Sequence, residues 1–159
     1  MQMKAELVNP FISSTISVFE TMVGLKVTKG DLYIKSDERL FYDVSGAIGV
    51  VGDFIGFVSV SFTEDVALEV ATKFLGEEIT ELNNEAGDAV GELINMIAGS
   101  TKKHFSDKGK RFSISVPNVI IGKGHTIQRP ANLICIGVKF HLNDSIFVLE
   151  VALKEKVDK

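Results

Sequence analysis

Four residues have types and a spacing that suit chemistry: Asp88, Glu92, Asn95 and Gly99. On a helix advancing about 100° per residue, with Asp88 at zero, Glu92 falls at about 40°, Asn95 at about −20° and Gly99 at about 20°. The four share an arc of roughly 60°, while Val90, Leu93, Ile94 and Ile97 fall between about 140° and 240°, on the far side. A carboxylate and a carboxamide one turn apart make a small polar grip. The amide can hold a water in a chosen orientation, and the carboxylate can engage a cation. Stability alone would choose other residues here. Asn is a mediocre helix former, Gly in a helix interior costs roughly 0.8–1 kcal/mol against Ala, and a solvated face more often carries Lys, Glu, Gln and Ala. Gly99 leaves room for a partner to approach closely. A solvated helix face without chemistry fits the same spacing, and pattern alone leaves both readings open.

The helix that carries these residues is predicted from a cap at Asn83 or Asn84 to about Phe105, with Gly109 shortly beyond. An earlier helix opens at Asn9-Pro10, where a proline lacking its N–H costs little. Phe11, Ile12, Ile16, Phe19 and Val23 recur along it at helical spacing, and Gly24 closes it. A strand-like stretch, Leu25 to Ile34, contains a Lys29-Gly30-Asp31 turn signal. Two β-type runs, Asp43 to Val51 and Phe54 to Phe62, flank a tight turn at Gly52-Asp53. Thr63 can cap a short helix to about Leu75, with Glu64 and Asp65 in its first turn. After the signature helix come a strand around Arg111 to Val116 and an irregular stretch from Pro117 to Pro130. The strands Ala131 to His141 and Ser145 to Leu153 follow, joined through Asn143-Asp144. Each half reads as a helix, then a strand, then a hairpin. The expected fold is α+β: a duplicated pattern with a mixed or antiparallel sheet packed on two long helices, in a single domain spanning 1–159.

The composition narrows the function. The chain has 159 residues, of which 45% are hydrophobic and 24% charged, an ordinary globular balance. Lys and Arg number 17 against 21 Asp and Glu, a net charge of −4, which gives no electrostatic reason to expect nucleic acid or an anionic membrane. No apolar run approaches the roughly 18–20 residues of a membrane span. The opening MQMKAELVNP lacks the apolar stretch of a signal peptide, which points to the cytoplasm; Met1 and Met3 are alternative starts. Cys135 is the only cysteine, which excludes an internal disulfide and Cys-rich zinc frameworks.

The segment GDAVGELINMIAG, residues 87–99, resembles the signature helix of the CheC/CheX/FliY phosphatases of bacterial chemotaxis, in which Asp or Ser, then Glu, then Asn recur as D/S-x3-E-x2-N. Asp88, Glu92 and Asn95 match the three positions. The N-terminal helix, the hairpins and the length are most similar to CheX-type members, so the resemblance covers nearly the whole chain. It implies removal of the phosphoryl group from the aspartyl phosphate of the response regulator CheY. In that scheme Asn95 orients the attacking water and Glu92 engages the regulator's active-site lysine. Mg²⁺ is expected in the regulator and no cofactor in this chain. Asp88 belongs at the edge of the site, in docking or helix support, and Gly99 on the partner-binding face. The resemblance also implies a homodimer built through sheet edges. A non-catalytic module that docks a response regulator or flagellar switch component is the alternative, and a structural oligomerisation domain is a third.

Matching Thr21-Met22-Val23 to Asn95-Met96-Ile97 tests the first helix for a second copy of the motif. Thr21, Val18 and Ser14 then take the Asn, Glu and Asp positions, and the Glu-x2-Asn pair is absent. Glu20 lies about 200° from Val18 and cannot substitute on the same face. One active centre per chain is expected. His104, His125 and His141 show no metal-ligand spacing and read as surface or turn histidines. Cys135 reads as a small buried hydrophobe in an apolar strand. Gly46, Gly49, Gly52 and Gly56 lead into no helix carrying Lys-Ser/Thr, so bulges or close packing explain them better than a phosphate loop. Lys102, Lys103, Lys108, Lys110 and Arg111 suit solvation and the helix dipole, or weak steering of an acidic partner.

Overall fold

The computed structural model describes residues 5–36, 40–128 and 130–157; the alternative starts Met1 and Met3 lie outside them. The order is helix α1 (Ala5–Val18), a π-helical turn (Phe19–Val23), strands β1 (Thr28–Ile34), β2 (Tyr42–Gly52) and β3 (Phe54–Phe62), helices α2 (Glu64–Leu75) and α3 (Asn84–Ser106), then β4 (Phe112–Ile114), β5 (Asn118–His125), β6 (Ile136–Leu142) and β7 (Ser145–Glu155). Among the described residues every strand pairing is antiparallel, so of the two expected sheet types the structure has the antiparallel one. The sheet runs β1-β6-β7-β3-β2-β4, with β5 also paired to β2.

That order makes the duplication visible. The hairpin β2–β3 of the first half and the hairpin β6–β7 of the second meet along β3 and β7, from Phe54↔Glu155 to Ser61↔Val148. The leading strand of each half crosses over to flank the other half's hairpin: β1 lies beside β6, and β4 and β5 lie beside β2. The helices bury one face of this sheet. Phe11, Phe19, Leu93, Ile94 and Ile97 pack with Val44, Ile48, Val58, Val60, Phe62, Phe140 and Leu149 in one core, all at most 1% exposed. The rings of Phe19 and Phe147 stack with centroids 4.7 Å apart, tying the π-helical turn to β7.

Four expectations are corrected. Helix α1 starts at Ala5, before Asn9-Pro10, and contains Pro10. Pro10 can donate no bond to Glu6 O, and burial of Val8, Phe11 and Ile12, which share one face of the helix, offsets the loss. Lys29-Gly30-Asp31 is no turn: β1 runs through it, with a register irregularity between Lys29 and Leu32. A β-carbon on Gly30 would meet His141 Nε2 at 2.6 Å, so the glycine serves close approach to β6. Within the stretch from Pro117 to Pro130, residues 118–125 form β5 and supply backbone partners to β2 from Tyr42 to Ala47. Strand β6 starts at Ile136 rather than Ala131, because a turn closed by Leu133 N donating to Pro130 O at 3.2 Å precedes it. Cys135 therefore stands just before the strand, buried as expected, with Leu133 and Ala152.

Candidate active site on helix α3

Asn83 is the cap of α3: its Oδ1 accepts from Ala86 N at 2.9 Å, satisfying one of the free N–H groups of the first turn. The helix then runs for 23 residues with its apolar stripe fully committed. Val90, Leu93, Ile94 and Ile97 are at most 1% exposed. A helix seated this firmly cannot roll, so the opposite face is presented in fixed orientation. Asp88 and Glu92 are exposed on that face, and Asn95 and Gly99 are half-buried.

Asp88, Glu92 and Asn95 line one open groove together with Gly91. Gly99 lies a turn further along, outside the lining, with no atom within 4 Å of where its β-carbon would stand. The opposite wall was not read from the sequence. It consists of Ile114, Ser115, Val116, Pro117 and Val119, from the end of β4 to the start of β5. This wall stands close because α3 carries glycines at its foot. A β-carbon on Gly91 would come 3.1 Å from Val119 Cγ2 and 3.8 Å from Pro117 Cβ, and one on Gly87 would come 2.9 Å from Ile121 Cδ1. Gly87-x3-Gly91 was the available signal: at about −100° and −60° these residues border the polar arc on one side.

The wall is anchored to the sheet. Gly49 N donates to Ser115 Oγ at 2.8 Å, and Ser115 N donates to Gly49 O at 2.9 Å. At the groove's acidic end, Glu77, hydrogen-bonded to Glu85 and like-charged, holds the Glu85 carboxyl above its usual value, and Asp88 adds to the repulsion. The arrangement can place a water by an amide and meet a cationic group with a carboxylate. Among the described residues no group of three His, Cys, Asp or Glu side chains could hold a metal ion.

Helix α1 offers no equivalent. Ser14 is turned into the α1–α3 contact, where its Oγ lies 2.9 Å from Thr101 Oγ1 and 3.2 Å from Ser100 Oγ. Val18 is buried, and Thr21, past the start of the π-helical turn, is exposed with its hydroxyl donating to Ser17 O. His125 closes the end of β5, with Nε2 2.8 Å from Ser45 Oγ and Nδ1 2.7 Å from Gly122 O.

A second polar cluster went unread in the sequence. A β-carbon on Gly46 would meet Val90 and Ile94, so Gly46 faces the helices and Ala47 faces away. Ala47 is opposite Ser59, and Ser59 is opposite Glu150, which places Glu150 on the sheet face remote from the groove. Glu150 is 1% exposed; Lys35 Nζ lies 2.9 Å from its Oε1 and also donates to Ile127 O, and Tyr33 OH donates to Oε2 at 3.0 Å. Burial and the Glu150 charge raise the Tyr33 hydroxyl and push Tyr42 up to about 12. This cluster ties Ile127 to the sheet.

No helix among the described residues is long and apolar enough to cross a membrane. Residues 44–141 match the family described as chemotaxis phosphatase CheX. The chain is 30% identical over 127 residues to the CheY-P phosphatase CheX of Thermotoga maritima, covering 79% of this chain and 82% of that one. Its fold is similar to the chemotaxis protein CheX of Vibrio vulnificus, with TM-score 0.88 and 38% identity over 94% of this chain and all of that one. It is similar also to the CheX of the CheX–CheY–BeF3–Mg²⁺ complex from Borrelia burgdorferi, with TM-score 0.81 and 26% identity over 96% of this chain and all of that one. With the signature helix, the crossed-over sheet and the family match in agreement, the chain belongs to the CheX family of chemotaxis phosphatases.

Proposed function

We propose that this chain, acting in the cytoplasm as one unit over residues 1–159, hydrolyses the aspartyl phosphate of a CheY-type response regulator. The observation that carries the reading is the placement of Glu92 and Asn95 side by side at an open groove, on a helix whose back is fully buried. The relative named a CheY-P phosphatase, and the one whose structure is a complex with CheY, support the same substrate.

An acyl phosphate is already reactive, so catalysis is mostly positioning and electrostatics. Asn95 enters the regulator's pocket and its amide oxygen accepts a hydrogen bond from a water, aiming the water oxygen at phosphorus. The new P–O bond forms as the bond to the aspartyl oxygen breaks, leaving the regulator's carboxylate and inorganic phosphate. Glu92 binds the regulator's active-site lysine by a charge-assisted contact, fixing the register of the two proteins. Mg²⁺ belongs to the regulator, where it offsets charge on the phosphoryl oxygens. Asp88 borders the groove and acts in docking, and Gly99 admits close approach beside it. Two copies pair through the outer sheet edges, β1 and β4–β5, whose unpaired backbone groups need covering.

The test follows the decay of a phosphorylated CheY-type regulator in Mg²⁺, with and without catalytic amounts of this protein. Faster decay is the expected result. Unchanged decay with measurable binding would make the chain a docking module.

A further inference from the structure

Val116 is 83% exposed, the most exposed of the described large hydrophobic side chains. A single apolar side chain on a surface is ordinary. Val116 differs in where it stands and how it is held. It lines the same groove as Asp88, Glu92 and Asn95, on the facing wall. The backbone that presents it is fixed on both sides. Ser115 exchanges two hydrogen bonds with Gly49 and also donates from its Oγ to Val116 O at 3.1 Å. Pro117 restricts the following φ and stands against α3 beside Gly91. The ordering cost of presenting this side chain is therefore met on folding, before any partner arrives.

We propose that Val116 is a docking and specificity residue, which seats against an apolar patch at the rim of the regulator's phosphoacceptor pocket and sets the affinity for the regulator. The inference rests on the function proposed above and deepens it. Any protein that brings a phosphoaspartate pocket over Asn95 must cover the wall across the groove, and the outermost side chain of that wall is Val116. Acidic groups on the α3 side give register and steering, while the apolar side chain contributes hydration free energy that salt does not screen. Val116 touches no reacting atom, so its contribution belongs to complex formation rather than to the chemical step.

Two variants test this, Val116→Ser and Val116→Asp, each compared with wild type for its unfolding midpoint. Steady-state hydrolysis of the phosphorylated regulator gives KM and kcat, and binding to the regulator loaded with beryllofluoride and Mg²⁺ gives Kd. The expected result for Val116→Asp is a rise of about tenfold or more in both KM and Kd, with a smaller rise for Val116→Ser and kcat within about twofold of wild type. Unchanged KM and Kd overturn the inference. A fall in kcat at constant KM overturns it too, because Val116 would then organise the reacting groups. A changed molecular mass by light scattering with KM and Kd unchanged also overturns it and assigns Val116 to a contact between copies of this chain. Wild-type protein that binds without hydrolysing sinks the phosphatase reading alone, and Kd then decides the role of Val116. Wild-type protein that neither hydrolyses nor binds overturns both.

Discussion

A β-carbon on Gly91 would stand 3.1 Å from Val119 Cγ2, so the first residues of β5 lie directly against the turn of α3 that separates Asp88 and Glu92 from the helix's buried side. The groove exists because this contact is glycine to valine. Gly91→Val should wedge β5 from the helix and destabilise the fold by about 1–3 kcal/mol, read as a lower urea midpoint, with hydrolysis reduced as the facing wall moves. Gly87→Ala brings its β-carbon to 2.9 Å from Ile121 Cδ1, the far end of a side chain that can turn aside, and to an ordinary 3.5 Å from Val119 Cγ1, and it removes a helix-interior glycine. It should change stability by less than about 1 kcal/mol in either direction. Equal losses for the two variants would contradict the packing described.

The cap of α3 separates two adjacent asparagines. Asn83→Ala removes the acceptor for Ala86 N and should cost about 1 kcal/mol in urea unfolding. Asn84→Ala, inside the first turn, should cost far less. A larger loss at Asn84 would put the helix start one residue later.

The Lys35–Glu150 pair is buried, and removing one partner strands the other. Lys35→Ala should destabilise the protein by roughly 3–5 kcal/mol, and Lys35→Ala with Glu150→Ala by less than the sum of the single changes. Chemical denaturation of the three variants checks the coupling; strict additivity would mean that the pair does not act together.

The same cluster sets an alkaline limit. Tyr42 holds its proton up to about 12 in the folded protein, against an ordinary value of 10.0. Above pH 10 the unfolded chain releases a proton that the folded chain keeps, so stability falls as pH rises from there through 12. Below pH 10 this contribution is fully present. Tyr42→Phe should flatten the decline of the urea midpoint in that range, and an unchanged slope would remove Tyr42 as a cause.

Helix α3 was legible because its 3.6-residue period runs for many turns and the stripe of Val90, Leu93, Ile94 and Ile97 on it is buried. Its polar face could be placed before any side-chain contact was known, whereas the choice between Asn83 and Asn84 needed the hydrogen bond itself. The facing wall was not legible. Strand β5 sits between Pro117 and Pro130 and carries Gly122-Lys123-Gly124 just before its last residue, His125, and Val119, Ile120 and Ile121 are each more than a third exposed. Its turn-like composition hides a strand that exists to pair with β2, a non-local cause. The pairing of Glu150 with Lys35 and Tyr33 spans 115 and 117 residues, a distance over which no local pattern reports. The duplication was readable as element order, but the crossing of β1 and of β4–β5 to the opposite hairpins belongs to tertiary pairing.

The most direct measurement compares wild type with Asn95→Ala in the decay of phosphorylated CheY in Mg²⁺, with regulator binding measured on the same samples. Wild type should accelerate the decay. Asn95→Ala, which keeps Glu92 and the groove wall, should bind the regulator within a few-fold of wild type and lose about 100-fold or more of the acceleration, the cost of a water no longer held in line. Asn95→Ala that binds and hydrolyses as fast as wild type would contradict the assignment of the water to this amide.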